Sequence, residues 1–334
     1  MKHSNISIFV PHIGCPHLCA FCDQRTISGE DKAPKPDDVR RICAQALDEI
    51  SSPENTEIAF FGGSFTAIRR DYMTALLEAA NEFVGEGKFR GIRLSTRPDY
   101  IDDDVLGVLK KYNVTAIELG AQSLDDEVLA ANERGHTARD VVDASELIRR
   151  YGFELGLQMM VGLYKSTREK ELATMRKIID IRPQTVRIYP VVILKGTKLG
   201  SLYQSGEYQT MSFDDVVELC ADMLTEFDNA DIKIIKCGLH ASEFVERDML
   251  GGFYHPAFRE LCEAVCYRKA FDAEINKTGL SKGIAEFAVP SKNLSKALGQ
   301  KKSNVGYFAD KGFELRLVPS DDTNDKYQVI NIWQ

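Results

Sequence analysis

The sequence has no apolar stretch of membrane-spanning length: runs such as 191–194 fall far below the ~20 residues that a transmembrane helix needs. Nor does a basic segment followed by an apolar one stand at the amino terminus, so a cytoplasmic protein is expected. There is no internal repeat of roughly 20–50 residues and no low-complexity tract. Composition gives no sign of disorder, since hydrophobic residues make up 44% and charged residues 28% of the 334 positions, the mixture of a chain that buries a core. An excess of positive charge is also missing. The net charge of -8 counts against nucleic acid as a partner unless the basic residues cluster. The eight cysteines come without a secretion signal, which predicts reduced thiols acting as metal ligands or small buried hydrophobes, not a disulfide framework.

Along the chain, short β-branched or apolar runs alternate with longer stretches of helical period, the signature of repeated βα units around parallel strands. Strands are predicted at 6–10, 57–61, 91–95, 116–119, 154–159, 185–189 and 232–236, with helices at 37–50, 71–84, 102–112, 138–151, 168–181 and 213–227. About six units and a last strand predict an α/β fold, a partial (β/α)6-type barrel, over residues 1–240. A connecting helical segment is expected at 241–280, then a small α+β domain at 281–334.

Gly14-Cys15-Pro16-His17-Leu18-Cys19-Ala20-Phe21-Cys22 directly follows the first strand, which puts three thiols at a strand carboxyl end, where barrels place chemistry. Spacings of three and two residues let one loop put sulfurs on three irons of a 4Fe-4S cubane and leave the fourth iron open to a ligand. The competing reading is structural zinc, with His12 or His17 supplying a fourth ligand. One unit later, Phe61-Gly62-Gly63-Ser64-Phe65-Thr66 ends the second strand in adjacent glycines that free the backbone to approach a ligand. Ser95-Thr96-Arg97-Pro98-Asp99 closes the third strand and Glu118-Leu119-Gly120-Ala121-Gln122-Ser123 the fourth, with Arg134-Gly135-His136 soon after. Arg97 or Arg134 is a candidate fork for a carboxylate. Gln122 and Gln158 are expected to face the barrel mouth, while Tyr189, Lys195 and His240 are candidate substrate residues, His255 less so. Cys43, Cys220 and Cys237 read as buried hydrophobes, and Cys262 with Cys266, four apart on a helix, as core.

These motifs resemble the radical S-adenosylmethionine (SAM) superfamily. With Ile188-Tyr189-Pro190-Val191-Val192-Ile193-Leu194-Lys195-Gly196-Thr197, they resemble the radical domain of the Elongator catalytic subunit and its short bacterial relatives over about residues 4–240. The resemblance implies that Cys15, Cys19 and Cys22 hold an oxygen-sensitive 4Fe-4S cluster. Through it, S-adenosyl-L-methionine is cleaved to a 5'-deoxyadenosyl radical. Phe21 would stack near the adenine, and Gly62, Gly63, Ser64, Ser95, Arg97, Gln122 and Arg134 would contact the cofactor. Ser64 stands where the superfamily carries an acid, so only the backbone role transfers. Elongator's acetyl-dependent reaction does not simply transfer either, because no acetyltransferase domain is recognised in the sequence. An electron donor such as flavodoxin or ferredoxin is implied.

Residues 288–305 resemble the core of a bacterial KH domain, in which a helix, a Gly-x-x-Gly loop and a second helix clamp about four nucleotides. The loop reads Gly299-Gln300-Lys301-Lys302 and lacks the second glycine. Residues 281–311 hold six Lys and two acids, net +4, so the rest of the chain carries -12. A basic module on an acidic body suits RNA docking. Three functions follow: a radical enzyme modifying a nucleoside in tRNA or rRNA; the same cofactor acting on a small molecule, such as a modified nucleobase or porphyrin-like acid; and an RNA-binding protein whose cluster is structural or redox-sensing.

Overall fold

The computed structural model describes residues 4–11, 15, 19–23, 32–240, 242–320 and 326–334. The strands in chain order are β1 (Ser4–Val10), β2 (Thr56–Gly62), β3 (Gly91–Thr96), β4 (Val114–Gln122), β5 (Glu154–Val161), β6 (Thr185–Pro190), β7 (Val192–Leu194), β8 (Lys233–Cys237), β9 (Met249–Gly252), β10 (Gly283–Val289), β11 (Phe313–Pro319) and β12 (Gln328–Trp333). The helices are α1 (Pro36–Glu49), α2 (Arg70–Asn81), α3 (Asp103–Lys111), α4 (Asp126–Ala131), α5 (Ala138–Arg150), α6 (Arg168–Ile181), α7 (Lys198–Gln204), α8 (Phe213–Asn229), α9 (Glu243–Asp248), α10 (Phe258–Thr278), α11 (Leu294–Leu298) and α12 (Ser303–Asp310). Side-chain caps set several starts: Asp102, Asp125, Thr137, Thr167, Thr197 and Ser212 each accept the amide three residues on, satisfying a donor that the first turn leaves free.

Two compact units result. The first comprises Met1–Thr210, Ile232–Lys236 and His240–Phe253; the second comprises Met211–Asp231, Cys237–Leu239 and Tyr254–Gln334. In the first, β1 to β6 and β8 hydrogen-bond in chain order as one sheet, parallel from β1 through β6. Its strands are covered on both faces: Ile58, Ala59, Phe60, Ile117 and Leu119 are all fully buried, which is why they read as nearly continuous apolar runs. This is the expected partial barrel. The expected strands and helices recur within a few residues at each end. Short elements went unseen, namely α4, α7, α9 and the antiparallel pair β7–β9, because three to seven residues are too few for a period to show.

The interior of the sheet holds charge. Arg93 on β3, 1% exposed, donates to Glu57 on β2 at 2.8 Å, to Glu118 on β4 at 3.3 Å and to Glu154 on β5 at 2.8 Å. Glu118 in turn receives Arg187 of β6, with one contact at 2.9 Å. Burial opposes the charge on Arg93, but Glu57, then Glu118 and Glu154, outweigh it and raise the Arg93 pKa. Glu118 finds room because its register partner is Gly156: a Cβ there would lie 2.9 Å from Glu118 Cγ.

The second unit departs from the expected division. Residues 258–278 are not a connector, because Tyr267, Phe271 and Ile275 of α10 share one core with Phe287, Phe308 and Phe313. Phe271 stacks on Phe287 with ring centroids 4.1 Å apart. Helix α8 also belongs here, and 240–253 returns to the first unit. The sheet runs β11-β10-β12, with β11 parallel and β12 antiparallel to the central strand.

One buried acid gives the first unit a pH dependence. Glu171 of α6 accepts the Gly162 amide at 2.8 Å at the end of β5, and the Tyr208 hydroxyl donates to the Gly162 carbonyl. Burial pushes the Glu171 pKa up to about 7 from 4.5. Between those values the folded chain keeps a proton that the unfolded chain has lost, so this group's contribution to stability falls as pH rises through that window. Glu171→Gln cannot ionise. Chemical unfolding of variant and parent at pH 5 and pH 8 should therefore shift in the variant's favour at the higher pH, by on the order of 2–3 kcal/mol.

Candidate active site at the strand carboxyl ends

Because β1 to β6 are parallel, each delivers its last residues to one edge of the sheet. Cys15, Cys19 and Cys22 follow β1; their neighbours His12, Gly14, Pro16, His17 and Leu18 lie outside the described residues. The described part of the loop is held from two sides. The Ala20 amide donates to Asn132 O at 3.1 Å and the Ala20 carbonyl accepts the Leu199 amide at 2.7 Å, while the Cys22 amide returns to Cys19 O. Asn132 is itself buried, with Nδ2 donating to Val128 O and Tyr164 O. The α4–α5 turn and the first turn of α7 thus grip the cysteine loop.

After β2 the backbone closes on β1. Gly62 has φ +109°, a Cβ there would stand 3.0 Å from Val10 O, and the Gly63 amide donates to that same oxygen at 2.9 Å. Neither the dihedral nor the space admits a side chain at 62. The Ser64 amide donates to the Cys15 sulfur. Its hydroxyl faces the scaffold instead, sharing a 2.9 Å bond with Thr96 and accepting the Arg97 amide at 3.1 Å. Ser64 therefore offers its backbone to the site and no side-chain substitute for an acid.

The two arginines are engaged. Arg97 forks onto Asp99 at 2.9 and 2.8 Å. Arg134 donates through Nη2 to Gly120 O at 2.6 Å and through Nη1 to Cys19 Sγ at 3.0 Å, and its buried Nε has no partner among the described residues. Burial pushes the Cys15 thiol up, opposed by the Ser64 amide and then by Arg134 and Arg97. Cys22 is pushed up to about 12, by burial first and then by the neighbouring Cys19 and Cys15.

Gln122, in a left-handed conformation at φ +65°, accepts the Gln158 side-chain amide at 3.2 Å. Ser95 on β3 is half-buried, as are Gln158 and Tyr189, and Phe21 is buried. Tyr189 bonds Arg187, and burial raises its phenol. These contacts join Cys15, Ser64 and Arg97 in one set, Cys19 with Arg134 in a second and Gln122 with Gln158 in a third. Lys195 is not among them: it is exposed, and its amide donates to Asp248 O at 2.9 Å beside the β7–β9 pair. His240 is exposed just after β8. His255 is committed elsewhere, since its Nδ1 accepts the Ala257 amide at 3.0 Å and so closes the turn into α10.

Sequence reasoning missed three participants. Asn132 and Leu199 act through main-chain atoms and leave no residue-type signal. His136 is buried with Nε2 bonded to Ala121 O at 3.2 Å, and burial, then Arg134, pushes its pKa down to about 4, so it is neutral. The inward charges of Glu57, Arg93, Glu118, Glu154 and Arg187 were visible within predicted strands, at odds with their apolar neighbours.

An amide and a guanidinium aimed at two of the three sulfurs suit anionic thiolates on a cluster. Residues 9–178 match the sequence model of the radical SAM superfamily, and 183–268 that of the radical SAM C-terminal domain. The chain therefore belongs to the radical SAM superfamily. It is a radical S-adenosylmethionine enzyme, and its cofactors are a 4Fe-4S cluster and S-adenosylmethionine.

Among curated proteins, the tRNA uridine(34) acetyltransferase of Methanocaldococcus jannaschii is 27% identical over 196 residues, 52% of this chain and 36% of that one. Human Elongator complex protein 3 is 30% identical over 193 residues, 52% of this chain and 35% of its own length. The chain thus spans little more than a third of these two relatives. Among solved structures, the Elp3 protein of Methanocaldococcus infernus with an amino-terminal deletion superposes with TM-score 0.60 at 20% identity, over 84% of this chain and 64% of that one. Escherichia coli coproporphyrinogen III oxidase (HemN) gives TM-score 0.51 at 16% identity, over 69% and 53%. At such identities the superpositions establish the fold. No described helix is long and apolar enough to cross a membrane.

Anaerobic reconstitution should load about four irons per chain. Cys19→Ala should retain less than about half of that iron and lose the visible absorption of the cluster; iron and protein assays on the two chains measure it.

Proposed function

We propose that this enzyme modifies a nucleoside within RNA, with the first unit carrying the chemistry and the second docking the polymer. Cys15, Cys19 and Cys22 would hold the cluster, which would supply the one-electron reduction needed to cleave S-adenosylmethionine. A flavodoxin- or ferredoxin-type donor delivers that electron. The chain's own contribution is placement. The Ser64 amide and Arg134 donate to sulfur, Gly62 and Gly63 let backbone come close to a ligand, and Gln122, Gln158 and Tyr189 supply polar groups towards the barrel interior. The acetyl-dependent chemistry named for the relatives is not part of this proposal, because the likeness covers little more than a third of the length of the two described.

The observation that carries the reading is the likeness of more than half of this chain to proteins whose names denote action on uridine 34 of tRNA. The second unit supports it. Between α11 and α12, residues Gly299, Lys301 and Lys302 all have positive φ, at 75°, 52° and 59°. Left-handed lysines are strained, and such strain persists where the surroundings impose it and often where function uses it. The turn is fixed from within: Lys302 N–H returns to Gly299 O, and buried Asn304 Nδ2 donates to Ala264 O at 2.8 Å and Ala297 O at 2.9 Å. Lysine thus supplies the left-handed conformation where the KH loop has its second glycine. Lys292, Lys301 and Lys302 are exposed and form no ion pair among the described residues, whereas Lys296 and Lys311 are paired with Glu263 and Asp272.

The holoenzyme should copurify with RNA. Lys301→Glu with Lys302→Glu should weaken RNA binding at least about 10-fold and lower the salt slope of log K by about 2. Nucleoside profiles of RNA from cells with and without the gene should differ in one modified base. RNA binding unchanged in the double variant, together with identical profiles, would overturn the reading in favour of a small-molecule substrate.

A further inference from the structure

The two faces of the first unit's sheet are filled differently. Alternate residues of a strand face opposite ways, and on β2, β5 and β6 one set, including Phe60, Leu157, Met159, Val186 and Ile188, is fully buried. The intervening set faces the lumen with Arg93 and Glu118, and there Phe61, Gln158, Met160, Arg187 and Tyr189 are each only half-buried. Deeper along that inner face, Glu57, Arg93 and Glu118 are buried. Among the described residues the inner face is therefore a cup, with the carboxylate–guanidinium network as its floor and half-buried side chains as its wall.

Part of that cup is flat. Arg187 bonds Glu118 through both Nε and Nη2, the latter at 2.9 Å, and a two-point fork of this kind keeps guanidinium and carboxylate close to one plane. Arg187 also lies over Phe61, with Cζ 5.1 Å from the ring centroid. Register supplies the neighbour: Gln158 of β5 pairs with Arg187 of β6. Gln158 donates Nε2 to Gln122, and its Oε1 has no partner among the described residues. Arg187 Nη1 carries two hydrogens and meets no carboxylate, so a donor remains even with Tyr189 bonded. One unspent donor and one unspent acceptor thus stand on adjacent strands beside a planar surface.

We propose that the cup receives the reacting ring of the substrate as an uncharged nucleobase stacked on the Arg187–Phe61 surface, and that Phe61 and Arg187 determine specificity for it. The proposal rests on the nucleoside reading above and adds where the base lies and what the site rejects. Bases taken out of a stack are held on aromatic rings and guanidinium planes and are read by hydrogen bonds along one edge. That edge offers an acceptor beside an N–H, which the Arg187 donor and the Gln158 acceptor match.

An acidic ring fits the same place badly. All three nitrogens of Arg93 bond carboxylates, and so do two of the three of Arg187. Both guanidiniums of the floor are thereby neutralised already, and neither is left to balance a carboxylate brought in from water. An anion enclosed without a counter-charge is costly. The cup therefore separates two substrate classes that share the cofactor: it favours a base, within RNA or as a free nucleoside, over a porphyrin-like acid.

The test supplies cells lacking the gene with the parent chain, Phe61→Leu or Phe61→Tyr at equal protein level, and counts the modified base in their tRNA by mass spectrometry. Leucine keeps the apolar bulk and loses the planar face, whereas tyrosine keeps both. Phe61→Tyr should restore the base, and Phe61→Leu should leave it at least about 10-fold lower. With the reconstituted enzymes and tRNA from the deleted cells, kcat at saturating tRNA should fall by that factor in Phe61→Leu while the Kd for tRNA stays within about 2-fold, since stacking on the ring is lost and docking by the second unit is not. Restoration by Phe61→Leu equal to the parent's would overturn the cup and leave the nucleoside reading standing. Should no base differ between cells with and without the gene, that reading falls and free ligands decide the cup. Formation of 5'-deoxyadenosine by the parent enzyme that is stimulated by uridine, cytidine, adenosine or guanosine, and not in Phe61→Leu, upholds it; stimulation by coproporphyrinogen III, or by none of these, overturns it.

Discussion

The guanidinium of Arg93 is the interaction on which the first unit depends. It is shut away from water and bonded to carboxylates from β2, β4 and β5, and Glu118 passes the connection to Arg187 on β6. Removing one member of such a buried network costs about 3–5 kcal/mol, because a charge is left without its partner, whereas an apolar replacement of the whole set can be neutral. The network is therefore better understood as a device for specificity than as a source of stability. Five adjacent strands are pinned together. A slip of one residue in any of them would turn a charge towards an apolar layer.

That fixed register decides which residues reach the site. Glu118 pairs with Gly156 and Gly120 with Gln158, so the same alignment that seats an acid in the lumen sets the two glutamines side by side one layer above. The cysteine loop takes its position from the ensuing turns, through Asn132 and Leu199, and from Gly63, which binds the end of β1. Arg134 ties the loop to β4 by bonding Cys19 and Gly120 at once. Residues far apart in the chain thus converge through the order of the strands.

Much of the first unit was legible from its sequence, because buried parallel strands and amphipathic helices each impose a period and because the cysteine spacing is specific. The site was legible in residue type more than in role. Either Arg97 or Arg134 was expected to hold a ligand's carboxylate; here Arg97 forks onto the carboxylate of Asp99, and Arg134 bonds a thiol and a carbonyl. No local pattern marks such a choice, which depends on which acceptor the fold brings within reach. His255, the lesser of two candidate histidines, accepts the Ala257 amide in a turn. Cys220, Cys237 and Cys262 read as apolar core residues, each in its own periodic element, and are buried. The KH-like resemblance covers residues 288–305, while the aromatic residues of α10 that complete the core lie before the apparent boundary.

The share of the core that α10 supplies decides how such a module can be moved. The small sheet rests on Tyr267, Phe271 and Ile275, and the lysine turn is stapled by Asn304 to the Ala264 carbonyl, all contributed by α10. A cut at 281, where the composition changes, would detach the sheet from one wall of its interior and leave a buried amide with half its acceptors. The unit that recombination could transplant intact begins upstream of α10, and any graft that respects only the basic stretch would inherit the lysines without the frame that aims them.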